Sequence, residues 1–123
     1  MPKKKFSVYQ ELCPSRNVLE KISDKWSILI ITILLNKTYR FGELKREIGG
    51  ISPKMLTQTL IKLERLGFIV RQSFPVLPMK VEYSLTPLGG ELGVILSSLT
   101  AWTEKNMTTI MFAENKFVAT YNL

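Results

Sequence analysis

A mainly α-helical fold carrying one small β-hairpin is predicted by three features of this 123-residue chain. Ser52-Pro53 and Thr86-Pro87 each open a helical pattern, and Asp24 opens another. A Ser, Thr or Asp side chain accepts from the free N–H groups of a helix start, and proline loses no hydrogen bond at the first position. Gly49-Gly50 and Gly67 close two of the patterns. Between residues 68 and 85 the helical period gives way to two alternating runs around Pro75-Val76-Leu77-Pro78, which is a hairpin with a stiff tip.

The elements follow in order. Residues 1–12 begin with the basic arm Lys3-Lys4-Lys5, then Phe6, Val8, Tyr9 and Leu12. A first helix starts near Pro14 or Ser15, with Val18, Leu19 and Ile22 as its apolar stripe. Asp24 caps a second helix over 25–35 that is apolar nearly all round, the pattern of a central core helix. Asn36-Lys37 is a turn, and Thr38-Tyr39-Arg40 a short strand. Apolar residues at 41, 44 and 48 give a third helix, and a tight glycine turn joins it to a fourth starting after Ser52. In that helix Leu56, Leu60 and Leu63 face the core, and Met55 either fills the core, the favoured reading, or reaches the groove. Strands follow over 68–74 and 80–85, with Val81, Tyr83 and Leu85 on one face. In the long last helix Leu88, Leu92, Ile95, Leu99 and Trp102 form a heptad-like seam. Gly89, Gly90 and Gly93 each weaken a helix by about 1 kcal/mol relative to Ala at exposed interior sites, so this one depends on packing. Residues 107–123 either continue it or pack back on a subunit. This order describes a winged helix-turn-helix with N- and C-terminal dimerisation elements. The chain reads as one domain over 1–123, its core at about 13–102.

Composition narrows the function. Hydrophobic residues make up 46% and charged residues 22%, as in a globular protein. The longest nearly apolar run, 26–35, is half of the roughly 20 residues a membrane span needs, so no membrane partner is expected. No N-terminal stretch has the apolar run of a signal peptide. One cysteine permits no internal disulfide and fits a reducing cytoplasm. There is no histidine, no Cys/His cluster, no Gly-rich phosphate loop after a strand and no nucleophile with an evident base. Neither catalysis nor a metal or other cofactor is expected.

The net charge of +7 is unevenly spread. Residues 37–80 hold nine Lys/Arg against three acids, while residues 81–123 hold two against four. The surplus peaks on the helix-turn-helix and hairpin, where cations would meet phosphate and release its counterions. In the fourth helix, Lys54, Thr57, Gln58, Ile61 and Lys62 are left toward solvent. A recognition helix presents its N-terminal residues to base edges in the major groove. Gln58 can bond bidentately to adenine, and Thr57 can donate, accept or touch a thymine methyl. Lys54 and Lys62 suit phosphate, Lys54 also guanine, and Ser52 with the free N–H groups beside it suits phosphate. Arg40, Lys45 and Arg46 on the preceding helix are backbone candidates, and Arg71 and Lys80 on the hairpin are candidates for flanking phosphates or the minor groove. Cys13 stands just before the first helical turn, where positive charge favours a thiolate, and Arg16 follows one turn on. It reads either as a reactive thiol or as a small buried hydrophobe.

Cys13-Pro14 with Lys25-Trp26 resembles the opening of the HxlR-type (DUF24) bacterial transcription regulators, winged-helix proteins related to the MarR group. Arg40-Phe41-Gly42-Glu43-Leu44, Ile51-Ser52-Pro53-Lys54-Met55-Leu56-Thr57, Leu63-Glu64-Arg65-Leu66-Gly67 and Val81-Glu82-Tyr83-Ser84-Leu85-Thr86 resemble that family's later blocks, in the same order, over about residues 13–102. The resemblance implies a homodimer on a pseudo-palindromic double-stranded DNA operator. In part of the family it also implies a cysteine at the position of Cys13 that senses a small-molecule oxidant or electrophile. Asp24, where a glycine is common, and a hairpin tip without an acidic residue depart from the pattern. Leu12, Leu88, Leu92, Ile95, Leu99 and Trp102 are the expected dimer contacts. Two alternatives stand beside this reading. One is a regulator controlled by a small apolar ligand among Trp26, Trp102, Phe112 and Phe117. The other is a winged-helix protein-interaction module without DNA binding.

Overall fold

Local signals set most boundaries in the computed structural model, which describes residues 5–123; Lys3 and Lys4 of the basic arm lie outside the described residues. Among the described residues six helices and one hairpin follow in the order α1 (Pro14–Ile22), α2 (Lys25–Ile33), α3 (Phe41–Glu47), α4 (Pro53–Arg65), β1 (Ile69–Phe74), β2 (Lys80–Leu85), α5 (Pro87–Lys105) and α6 (Met107–Tyr121). This is a winged helix fold. Asp24, Ser52 and Thr86 cap their helices by accepting from the N–H groups of Ser27, Met55 and Gly89. Gly50 and Gly67 adopt a φ of 84°, a left-handed conformation that a side chain strains.

One core joins α2, α3, α4 and the base of the hairpin. Ile30, Ile31, Leu44, Ile51, Leu56, Leu60 and Leu63 are fully or almost fully buried in it. Each such side chain contributes roughly 1.5–3 kcal/mol relative to exposure. The strands pair antiparallel, with Ile69 opposite Leu85 and Phe74 opposite Lys80. Tyr83 is buried, and Val81 and Leu85 pack beside it on the core, as the alternation predicts. In β1 the alternation does not set burial. Beyond Ile69 the ribbon runs out past the core, and Val70, Arg71, Gln72 and Ser73 are all exposed.

Several expectations are corrected. Leu19 is exposed and α1 has no fully buried residue: its stripe borders an open groove shared with Phe6 and Val8, and of the stripe Ile22 packs against the core. The second helix stops at Ile33, and Leu29 and Leu35 keep one side of it partly open. The strand near residue 39 shrinks to a single antiparallel bridge, Tyr39 to Tyr83. In α5, Leu92 turns to the core beside Leu96, Gly89 and Gly93, so the heptad seam is interrupted there. A Cβ on Gly93 would stand 2.8 Å from Leu35 Cδ2, so the missing side chain lets α5 lie close on α2. Residues 107–123 do not continue α5: at Asn106 the backbone leaves the helical region, and α6 starts as a separate helix with every residue exposed.

Candidate nucleic-acid interface

Tight local bonding fixes the approach to α4. The Arg40 N–H donates to Glu43 Oε1 at 2.9 Å, closing the first turn of α3. This bond holds the Glu43 carboxyl below its usual value against an opposing contribution from burial, and Lys37, 3.5 Å away, assists. Gly50 then reverses the chain, and buried Ile51 anchors the turn. Ser52 Oγ accepts from the Met55 N–H at 3.0 Å, with Pro53 at the first helical position.

The rotation of α4 is set by its buried side. Leu56, Leu60 and Leu63 are joined there by Thr59, whose hydroxyl donates to the Met55 carbonyl at 2.7 Å and so enters the core satisfied. Lys54, Thr57, Gln58 and Ile61 therefore point outward, all exposed. Met55 is also at the surface, 37% exposed, because a residue next to Leu56 lies about 100° around the helix from it. Arg65, seven residues after Gln58, is exposed too. The spacing that singles out Gln58 equally predicts this position, which sequence reasoning missed.

The other cations divide into two sets. Lys45 is partly buried and Arg46 exposed on α3. On the hairpin, Arg71 Nη1 lies 3.2 Å from Ser73 Oγ. Lys80 pairs with Glu82 at 2.8 Å, its ammonium 5.0 Å from the Phe74 ring centre. Lys62 does not project into solvent as expected: its ammonium donates to Asp24 Oδ2 at 2.6 Å. The same carboxylate accepts from the Ser27 N–H at 3.0 Å and the Ser27 hydroxyl at 2.7 Å. Burial raises the Asp24 carboxyl, but Lys62 and Ser27 outweigh it and hold it below its usual value. Nothing in the sequence signalled this link across 38 residues.

Cys13 is the N-cap residue of α1 and half-buried. The Ser15 hydroxyl lies 3.1 Å from its sulfur, and the Ser7 N–H donates to the sulfur at 3.3 Å. Led by the Ser15 hydroxyl, these groups lower the thiol from its ordinary value against a smaller effect of burial. Arg16 takes no part. Its guanidinium donates to the carbonyls of Val8 and Tyr9, at 2.9 and 3.0 Å, and ties down the N-terminal segment.

The outer surface of α5 and α6 is apolar. Ile95 is 66% exposed and Phe112 71%, and Leu88, Leu99, Trp102 and Phe117 are about half exposed. Leu12, 94% exposed, extends the apolar surface of the N-terminal segment. Trp26 instead packs against the core and lines a cleft between α2 and α4, apart from the exposed Trp102, Phe112 and Phe117. No helix among the described residues is long and apolar enough to cross a membrane.

Residues 21–111 match the family described as HxlR-like helix-turn-helix. The HTH-type transcriptional regulator YtfH of Escherichia coli K12 is 41% identical over 116 residues, 94% of this chain and 92% of that protein. The solved structure of the transcriptional regulator ytfH from Salmonella typhimurium superposes with a TM-score of 0.85 at 41% identity, covering 90% of this chain and 99% of that one. The redox regulator HypR in its reduced form superposes with a TM-score of 0.73 at 33% identity, covering 80% and 97%. The chain belongs to the HxlR-like helix-turn-helix family and is a transcriptional regulator, not an enzyme.

Proposed function

We propose that the whole chain is one DNA-binding unit that acts as a homodimer in the cytoplasm and reads a pseudo-palindromic operator with the front of α4. One observation carries this reading. The side of α4 opposite the buried leucines presents Lys54, Thr57 and Gln58 together, all exposed, on a helix whose rotation the core fixes. Gln58 and Thr57 contact base edges, and Lys54 contacts guanine or phosphate. The Ser52 hydroxyl, whose oxygen already caps the helix, donates its proton to a phosphate. Arg40, Lys45 and Arg46 meet the backbone from α3, and Arg71 and Lys80 meet it from the hairpin, Lys80 by exchanging Glu82 for a phosphate. The dimer forms through Leu12, Leu88, Ile95, Leu99 and Trp102. It sets the two reading helices about 34 Å apart, one turn of duplex.

Cys13 is the signal-receiving group, oxidised or alkylated to change operator affinity. Its lowered thiol and the redox regulator among the similar structures support this role. With a single cysteine per chain, the chemistry is a cross-link between protomers, a mixed disulfide with a small thiol, or an alkyl adduct.

The test is to select an operator from a random duplex pool and titrate wild type and Gln58→Ala on operator and random DNA. Gln58→Ala should weaken operator binding by roughly 1–3 kcal/mol and leave random-sequence binding nearly unchanged. Equal loss on both duplexes would remove Gln58 from base reading.

A further inference from the structure

The cleft between α2 and α4 is lined by Asp24, Trp26, Met55, Gln58, Thr59 and Lys62. It has a volume of about 410 Å³ and opens on the flank of the reading helix. Lys62 lies one helical turn after Gln58, on the side of α4 that a phosphate beside Gln58 would approach. Its ammonium is occupied by Asp24 Oδ2. Lys25, the next residue after Asp24, holds its ammonium 4.6 Å from the centre of the Trp26 ring.

We propose that Asp24 sets the affinity of this regulator and its salt dependence by keeping the Lys62 ammonium in the cleft and so withholding one cation from the DNA backbone. The carboxylate is anchored before DNA arrives. One oxygen accepts from the Ser27 N–H, and the other accepts from the fully buried Ser27 hydroxyl as well as from Lys62. A cation already neutralised by a fixed carboxylate releases no counterion from a phosphate, so it adds nothing to the sequence-independent part of binding. That part is lowered on every duplex alike, and base contacts from Gln58 and Thr57 become a larger share of the whole. Asp24 also occupies the start of α2, where free N–H groups would otherwise attract a phosphate.

This inference rests on the proposed DNA binding, and one experiment separates the two. Wild type, Asp24→Asn, Lys62→Met and the double variant are titrated by anisotropy on a random-sequence duplex and on the selected operator, across a salt series. Asparagine caps a helix as well as aspartate does, so Asp24→Asn removes the charge and keeps the bond from Ser27. Asp24→Asn should bind both duplexes more tightly, by roughly three- to tenfold at low salt. The slope of log K against log salt should steepen by about 0.9, the value for one added phosphate contact. In the Lys62→Met background, Asp24→Asn should leave the slope unchanged. A folded Asp24→Asn protein with wild-type slope, or with weaker binding, overturns the inference while leaving DNA binding intact. So does an equal steepening in the Lys62→Met background, which would mark a general charge effect. Wild type that shows no salt-dependent binding to either duplex overturns both readings.

Discussion

Gly89 lies so close to Phe68 that a Cβ on it would stand 1.9 Å from the Phe68 carbonyl oxygen. The start of α5 therefore rests directly on the backbone where α4 hands over to the hairpin, and Thr86 completes the joint by donating its hydroxyl to the Gly67 carbonyl at 2.6 Å. A Cβ on Gly90, one residue on, would meet nothing within 4 Å. Gly89→Ala should destabilise the fold by roughly 1–3 kcal/mol or more, because backbone on both sides must move. Gly90→Ala should stabilise it by roughly 0.4–1 kcal/mol, since the helix is kept and the unfolded chain loses freedom. Urea unfolding of the two variants checks this, and a shared sign would contradict the packing described.

Leu99→Asp should separate the protomers, because it puts a charge on the outer apolar side of α5. Sedimentation should show a monomer, and operator affinity should fall by about tenfold or more as the two heads cease to bind together. A monomer with unchanged affinity would refute dimeric reading.

Because the folded Cys13 thiol is lowered, its reactive thiolate appears at lower pH than that of an ordinary cysteine. The rate of alkylation against pH should have its midpoint below the ordinary thiol value. Ser15→Ala should move that midpoint upward, since the Ser15 hydroxyl is the largest cause of the shift. A Cys13→Ser protein that still loses DNA on oxidant treatment would exclude the thiol as the sensor.

Acid should loosen the contact between α2 and α4. The Asp24 carboxyl is depressed in the folded chain, so its stabilisation is complete above its unfolded value and is lost as pH falls through the lower folded value. The melting temperature of wild type should drop more steeply than that of Asp24→Asn as pH is lowered through and below the ordinary aspartate range. Parallel curves would show that the ion pair adds no stability.

Residues that act on their own neighbours were the legible ones. Ser52, Thr86 and Asp24 cap helices through N–H groups three residues away, and Gly50 and Gly67 satisfy a local left-handed turn. The strand at 80–85 and the start of α4 were accordingly placed to the residue. The front of α4 was legible for the same reason, since three leucines at helical spacing dictate what faces out. Residues whose surroundings come from distant chain were not legible. Lys62 meets a carboxylate 38 positions back, Leu92 is drawn inward with Leu96, and Leu19 stays exposed on the side of an open groove. Spacing alone identifies a stripe without saying which part of it the fold covers.

Tyr39 and Tyr83 exchange two backbone hydrogen bonds, of 3.0 and 2.8 Å, one residue before α3 begins its cap at Arg40. The base of the hairpin is thereby riveted to the chain entering α3, while Leu77 at the far end is fully exposed. The root of the ribbon and the entry to α3 are therefore one bonded piece of backbone, while the tip stands free of the leucine interior. From that joint the chain reaches α4 through α3 and the glycine turn alone.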